Sequence, residues 1–214
     1  MLTGPFIEPK GKVTSAVILL HGLGADGENL IGIGAELALQ FPETVFLSPN
    51  APFGFDMMPG FAGFQWFSLT DWSPRAMLEG ANKAAPTLNG FIDEVLEKYK
   101  LPTEKLALVG FSQGTMMALH VGLRRQKKIG GIVGFSGALI APELAAKEVK
   151  SKPPICLVHG QMDMVVPFPA MNMAAAELEK AGLDVQTHAR PFLDHAIDQE
   201  GIKITSKFLK ACLK

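Results

Sequence analysis

Short apolar runs alternate with amphipathic helical patterns along most of this chain, and this alternation limits the possible folds more than any other feature. Most of the runs are almost wholly apolar, which is typical of strands covered on both faces. Strands that alternate with helices predict a mostly parallel central sheet with helices on both faces, so the expected fold class is α/β. The expected strands span residues 16–20, 44–49, 105–111, 131–137, 155–160 and 185–191.

Helical spacing of apolar residues fills most of the segments between these strands. After Pro86, for example, Phe91, Val95 and Tyr99 recur at every fourth residue until Pro102. The expected helices are 27–41, a helix after Pro86 that ends at Pro102, one after Ser112, one from Pro167 to Gly182, and one in 196–214. A chain of 214 residues is about the size of one α/β domain, so we expect a single domain over residues 1–214.

Residues 50–80 interrupt the alternation. They are rich in proline and glycine, yet they contain eight large apolar side chains: Phe53, Phe55, Met57, Met58, Phe61, Phe64, Trp66 and Phe67. Loops of this length inside compact domains are usually functional, so the segment is expected to be a lid-like insertion or the wall of an apolar groove. Equally, these side chains could pack over the sheet edge.

Composition and charge exclude several classes of partner. A net charge of -1 with 48% hydrophobic residues gives no electrostatic reason to expect nucleic acid or an anionic membrane surface. The N-terminus lacks a secretory pattern, and the longest apolar run, 16–20, is far shorter than the roughly 20 residues that span a bilayer. Cys156 and Cys212 form no disulfide framework and no metal-ligand spacing. A cytoplasmic location without an integral membrane segment is expected.

The motif G-x-S-x-G occurs at Gly110–Gly114, directly after an apolar strand and directly before a helix. This context is typical of a nucleophile elbow, in which the serine occupies a sharp strand-to-helix turn. Side chains two residues before and after the serine would collide in that turn, so both positions require glycine. The helix N-terminus favours negative charge beside the serine. We therefore expect Ser112 to be a nucleophile.

A serine nucleophile needs a histidine base and a carboxylate that orients the histidine. In folds that carry this type of nucleophile elbow, the acid follows the serine in the chain and the histidine follows the acid. His195 lies in a loop beyond the final strand, where it could return to the elbow. The other histidines are less suitable: His21 and His159 at strand ends, His188 within the last strand, and His120 on the helix after the elbow, where a satisfied core histidine is expected.

Asp163 is the expected acid because it lies in the loop after strand 155–160, at the same sheet edge as the serine. Asp194 is adjacent to His195 in the chain and is poorly placed to reach its Nδ1. Asp198 is expected to cap the last helix instead.

The segment HGLGADG, residues 21–27, has two interpretations. Its glycines fit the dinucleotide-binding pattern G-x-G-x-x-G, which predicts an acidic residue about 20 positions later; the second strand instead ends in FLSPNAP, with no carboxylate. The same loop can supply one backbone donor of an oxyanion hole, here Leu23, with Gln113 as the other. The second interpretation is favoured. The chain has no P-loop pattern and no histidine cluster, so no metal site is expected.

Taken together, HGLGADG, PNAP, GFSQG, HGQMDMVVP and DHAID resemble, in order and rough spacing, the phospholipase/carboxylesterase family of α/β-hydrolases. That family includes acyl-protein thioesterases and bacterial carboxylesterases. The resemblance covers nearly the whole chain and implies a hydrolase core without a large cap domain, a serine-esterase mechanism and no cofactor; it is compatible with a homodimer. It assigns the nucleophile to Ser112, the acid to Asp163, the base to His195 and the oxyanion donors to Leu23 and Gln113.

Two departures favour the bacterial carboxylesterases within that family. ADG replaces the acidic-threonine-glycine ending of the first loop in eukaryotic thioesterases, and HAID follows the histidine instead of a serine or glutamate. We therefore expect a serine carboxylesterase acting on a small or lipid-like ester, whose apolar part contacts Phe64, Trp66 and Phe67. A lysophospholipase or acyl-protein thioesterase is the alternative. A dienelactone hydrolase, which carries cysteine in place of Ser112, and a non-catalytic binding protein, which would have lost a triad member, are less favoured.

Overall fold

The computed structural model describes residues 2–58 and 60–214. Its strands are β1 (Phe6–Ile7), β2 (Ser15–Leu20), β3 (Thr44–Leu47), β4 (Phe53–Gly54), β5 (Phe64–Gln65), β6 (Leu106–Phe111), β7 (Gly131–Phe135), β8 (Ile155–Gly160) and β9 (Val185–Arg190). Seven of them form one sheet in the order β1-β3-β2-β6-β7-β8-β9, parallel except for β1, which pairs antiparallel with β3. The six strands expected from the sequence are thus confirmed, with ends shifted by up to two residues.

Helices cover both faces of the sheet. They are α1 (Gly27–Ala38), α2 (Pro74–Tyr99), α3 (Gln113–Gly122), α4 (Pro142–Glu148), α5 (Pro169–Lys180) and α6 (Gln199–Cys212), with a short 3-10 helix at Thr103–Lys105. Alternate residues of β2 point to opposite faces: Ile18 packs in the core beneath α2, α3 and α5, and Leu19 in the core beneath α1 and α6. The expected α/β fold class is confirmed. None of the helices described is both long and apolar enough to cross a membrane.

The structure corrects the predicted start of the second helix. It begins at Pro74 instead of after Pro86, which lies inside it, and Ser73 caps its first turn by accepting a hydrogen bond from the Ala76 N–H. A proline inside a helix costs about 3 kcal/mol. The stripe of buried side chains that packs on the core extends across the proline, and this burial offsets the cost. The stripe contains Ala81, Ala84, Leu88, Ile92 and Val95.

Residues 50–80 contain more regular structure than a long connection. The two short strands β4 and β5 pair antiparallel as a hairpin, and α2 occupies the segment from Pro74 onward. The apolar side chains divide into two groups. Trp66 and Phe67 are buried in the main core, whereas others, among them Met57, Met58 and Phe61, are exposed on the hairpin.

Candidate active site

Ser112 forms the sharp turn between β6 and α3, with φ 54° and ψ -116°. Few non-glycine residues adopt a positive φ, and such strain persists only where the surroundings enforce it. Here the Ser112 N–H donates to the Phe135 carbonyl over 2.8 Å. A Cβ on Gly110 would lie 2.4 Å from the Thr115 nitrogen, and one on Gly114 would lie 1.9 Å from the Leu20 carbonyl oxygen. The turn expected from G-x-S-x-G is therefore present, and both glycines are sterically required.

His195 and Asp163, which are 32 residues apart in the chain, meet at the same sheet edge. The Nδ1 of His195 lies 2.7 Å from Oδ2 of Asp163. Because an ionised carboxylate only accepts hydrogen bonds, Nδ1 carries the proton and the neutral ring keeps an acceptor at Nε2. The second carboxylate oxygen, Oδ1, accepts from the N–H groups of Val165 and Val166, each over 2.9 Å.

These contacts keep Asp163 ionised. Burial of its side chain raises the pKa of the carboxyl group, but the hydrogen bonds from His195, Val166 and Val165 outweigh burial and lower that pKa below its usual value. A charged carboxylate on Nδ1 fixes the orientation of the imidazole. It also stabilises the ring when Nε2 becomes protonated.

Two loops carry these side chains, and backbone hydrogen bonds join them directly. The Gln161 N–H donates to the Arg190 carbonyl over 3.0 Å, and the Met162 N–H donates to the Leu193 carbonyl over 2.9 Å. The loop of His195 is also closed at its ends, because Arg190 donates to Asp198 from Nε and Nη2. Asp198 caps α6 as expected, through the Gly201 N–H.

The imidazole lies beside the serine turn. The ring centroids of His195 and Phe111 are 4.9 Å apart, and Phe111 directly precedes Ser112. On the other side, a Cβ on Gly22 would lie 3.3 Å from the Cβ of Ser112. The structure thus brings together the turn, the histidine–aspartate pair and the first glycine loop.

The glycine loop lies where an oxyanion hole is expected. Gly24 has φ 75°, and its N–H donates to the Phe64 carbonyl over 2.8 Å, which fixes the loop against the hairpin. Within residues 2–58 and 60–214, no backbone acceptor pairs with the N–H of Leu23 or with that of Gln113, the first residue of α3. Both groups therefore remain available to a developing negative charge.

The dinucleotide interpretation fails because the N-terminus of α1 is already occupied. Asp26 accepts from the Asn29 N–H over 3.0 Å, and Asn50 accepts from the Gly27 N–H over 2.8 Å. These are the donors that would hold a pyrophosphate in a dinucleotide-binding turn. A carboxylate beside them would repel that ligand.

Sequence comparisons agree with this geometry. The model of the phospholipase/carboxylesterase family matches residues 4–213. Acyl-protein thioesterase 1 of Emericella nidulans is 30% identical over 98% of this chain and 95% of the relative, and acyl-protein thioesterase 1 of Aspergillus fumigatus is 30% identical over 96% and 91%. The chain belongs to the phospholipase/carboxylesterase family. It is accordingly a hydrolase that acts on esters, as the motifs predicted.

Several solved structures are also similar to this phospholipase/carboxylesterase family member. Esterase PE8 is 39% identical, with a TM-score of 0.93 over 99% of both chains. A single-site variant of Arabidopsis thaliana SOBER1 is 25% identical, with a TM-score of 0.81 over 94% of this chain and all of the other. Acyl-protein thioesterase 2 of Zea mays, 23% identical with a TM-score of 0.78 over 98% of both chains, shares the fold.

In this family member, two of the side chains predicted to contact substrate, Trp66 and Phe67, are buried in the core. Trp66 is 0% exposed and Phe67 is 1% exposed. The Trp66 indole N–H donates to the His21 carbonyl over 3.0 Å, which turns the ring inward. Of the three side chains predicted to contact substrate, Phe64 is the one that remains partly exposed.

The side chain of Gln113 has a structural role that the sequence does not indicate. Its Oε1 accepts from the Trp66 N–H and its Nε2 donates to the Phe67 carbonyl, both over 2.8 Å. The residue after the nucleophile thus ties the end of the hairpin to the first turn of α3. Trp66 and Phe67 are far from Gln113 in the chain, so no local sequence pattern indicates this pairing.

The remaining histidines also differ in part from expectation. His21 donates from Nδ1 to the Gly22 carbonyl and accepts at Nε2 from the Ala51 N–H, and burial lowers its pKa. His120 bonds Asn82 through Nε2, but its buried Nδ1 has no partner in the part of the chain described, so it is only half satisfied. Burial lowers the pKa of His120 to about 4.

Proposed function

We propose that this protein is a serine carboxylesterase that works through an acyl-enzyme, with Ser112 as nucleophile, His195 as general base and Asp163 as the orienting acid. The single observation that carries the proposal is the 2.7 Å hydrogen bond between Asp163 and His195, beside a strained serine at a helix N-terminus. A base oriented by a buried carboxylate is what a serine hydroxyl needs to become nucleophilic.

In the first step, Nε2 of His195 takes the proton of Ser112 as Oγ forms a bond to the ester carbonyl carbon. The carbonyl oxygen becomes negative and accepts hydrogen bonds from the N–H groups of Leu23 and Gln113. Collapse of the tetrahedral species breaks the bond to the leaving oxygen, which takes the proton from His195 and departs as an alcohol. A water molecule then repeats the sequence on the acyl-enzyme and releases the acid.

Loss of one oxyanion donor typically slows acyl transfer by about 100- to 1000-fold, or roughly 2.7–4 kcal/mol. Both proposed donors are backbone groups, so side-chain substitution does not remove them. Their contribution depends instead on the two anchors of the backbone, the Gly24 contact with Phe64 and the Gln113 contacts with Trp66 and Phe67.

The substrate we propose is a small or lipid-like carboxylic ester with an apolar part. Four exposed apolar side chains lie in the two catalytic loops, which carry Asp163 and His195. They are Met162, Met164, Val165 and Phe192. The hairpin of β4 and β5 adds Phe64 and its exposed methionines, and we propose that it forms a lid-like wall over this surface. The cytoplasmic location and the homodimer expected from the sequence stay predictions.

An acyl-protein thioesterase or lysophospholipase acting on longer acyl chains is the second candidate. It is favoured by the names of the two fungal relatives, which align over almost the whole chain, and by the exposed apolar side chains of the two catalytic loops. Thioester cleavage needs the same nucleophile and oxyanion hole, so the catalytic residues do not discriminate between the two.

Kinetics with an acyl-chain series of aryl esters, extended to one acyl thioester and one lysophospholipid, test the proposal. We expect ester hydrolysis by the wild type and its loss in Ser112→Ala with the fold retained. A peak at short chains favours the carboxylesterase, whereas kcat/KM that rises with chain length and persists for the thioester favours the second candidate. Substantial activity of Ser112→Ala refutes the nucleophile assignment.

A further inference from the structure

A second imidazole lies against the proposed catalytic acid. His159, in β8, is 2% exposed and takes no part in the mechanism described above. Its Nε2 lies 2.8 Å from the Val166 carbonyl oxygen and 3.3 Å from Oδ2 of Asp163. Both oxygens only accept hydrogen bonds, so Nε2 carries the hydrogen and donates it to the Val166 carbonyl, while Oδ2 of Asp163 lies nearby at the longer distance.

This contact closes the turn that presents Asp163. The Val165 and Val166 N–H groups hold Oδ1 from one side, and His159 holds the Val166 carbonyl and approaches Oδ2 from the other. Oδ2 therefore lies between two imidazoles: it accepts from Nδ1 of His195 over 2.7 Å, and Nε2 of His159 lies 3.3 Å away. The carboxylate cannot rotate without breaking at least one of these contacts.

The surroundings of His159 strengthen these hydrogen bonds. The Phe168 ring meets the imidazole edge-on with centroids 6.0 Å apart. Leu119, Leu157 and Met171 line a small space together with His159. Hydrogen bonds in such an apolar interior are stronger than in water, and a donor lost there is not replaced by solvent. Asp163 and His195 are the titratable groups that face this imidazole along the active-site edge.

We propose that His159 is a positioning residue for ester hydrolysis, which fixes Asp163 and moderates the negative charge that Asp163 presents to His195. The proposal rests on the function proposed above. His159 acts through Asp163 and touches neither the substrate nor the reacting atoms.

Two variants separate the hydrogen bond from packing. His159→Gln places an amide N–H close to the original Nε2, whereas His159→Leu fills the apolar space without a donor. We expect kcat of His159→Leu to fall about 10- to 100-fold, because a displaced catalytic group costs about that much. KM should stay within about twofold, since the residue does not bind substrate. His159→Gln should keep kcat within about threefold of the wild type.

The pH profile gives a readout that a merely structural role would not move. Without the polar N–H of His159 near Oδ2, Asp163 presents more of its negative charge to His195 and stabilises the imidazolium more strongly. The acid limb of kcat/KM for His159→Leu should therefore move to higher pH by about half a unit, the size expected for the loss of a weak polar contact. The limb of His159→Gln should coincide with that of the wild type.

The measurements are steady-state profiles of the wild type and both variants with an aryl ester, after circular dichroism has established folding. Wild-type kcat in His159→Leu, equal losses in the two folded variants, or an unmoved acid limb in His159→Leu would each overturn the proposal. If His159→Leu does not fold, His159→Gln decides: a wild-type profile supports the role, and a large loss of kcat contradicts it. A wild type that is itself inactive refutes the proposed function instead.

Discussion

Substitution of Gln113 by leucine should uncouple the hairpin from the nucleophile turn. Gln113 is 1% exposed, and its amide is the hydrogen-bond partner of the Trp66 N–H and the Phe67 carbonyl, both themselves buried. Water cannot replace the amide at this depth. Each buried group left unsatisfied costs about 1–3 kcal/mol, so the loss of both partners in Gln113→Leu should lower the free energy of unfolding by about 2–6 kcal/mol.

Activity should fall with stability, because the Gln113 N–H is a proposed oxyanion donor and its direction depends on the same anchor. We expect kcat at least about tenfold lower, measured at a temperature where circular dichroism shows that the variant is folded. Urea denaturation supplies the free energy of unfolding.

Two matched controls are Gln113→Glu and the substitution of an exposed glutamine by leucine. A carboxylate can still accept from the Trp66 N–H, but it repels the Phe67 carbonyl until it is protonated. Burial raises the pKa of such a glutamate in the folded state, so this variant should regain stability relative to the wild type as pH falls. Gln186→Leu, at an exposed position on β9, should change stability by less than about 0.5 kcal/mol. A Gln113→Leu variant as stable as Gln186→Leu would refute this reasoning.

Two further perturbations test other parts of the fold. Gly114→Ala places a Cβ 1.9 Å from the Leu20 carbonyl oxygen and should lower the stability by more than about 3 kcal/mol in a thermal melt. In contrast, an added Cβ on Gly32 has no atom of the described residues within 4 Å, so Gly32→Ala should stabilise α1 by about 1 kcal/mol. Equal melting temperatures of the two variants would contradict this. The pKa of His120 is lowered from 6.5 to about 4, so the folded state resists protonation of this ring. The stability that depends on neutral His120 is therefore fully present above pH 6.5, and up to about 3 kcal/mol of the free energy of unfolding is lost as pH falls to 4. His120→Gln should flatten that part of the urea-denaturation profile, and an unchanged slope would exclude His120 as its source.

The residues of the candidate site could be selected from the sequence because chain order and strand ends restrict them. Ser112 lies between a strand and a helix, and Asp163 and His195 lie in the loops after the last two strands. Since the carboxyl ends of parallel strands meet at one sheet edge, these three positions converge whatever the details of packing. The hydrogen bond between Asp163 and His195 agrees with that argument.

Side-chain direction in the irregular segment could not be predicted. The composition of residues 50–80 suggested an apolar surface, but Trp66 turns inward because its indole N–H finds the His21 carbonyl. Likewise, Pro86 suggested a helix start, whereas the buried stripe of α2 continues through it. In both cases tertiary contacts outweigh a local preference. For the same reason the sequence does not indicate the side-chain roles of Gln113 and His159, because their partners become neighbours only after folding.

Covalent labelling by a fluorophosphonate, followed by mass spectrometry of the labelled peptide, tests the central claim most directly. The reagent reacts with a serine only where a base and an oxyanion hole activate it. We predict one label per chain, on Ser112, at a rate that falls sharply in His195→Ala. Absence of labelling in the folded wild type, or a label on another serine, would contradict the assignment of Ser112, Asp163 and His195.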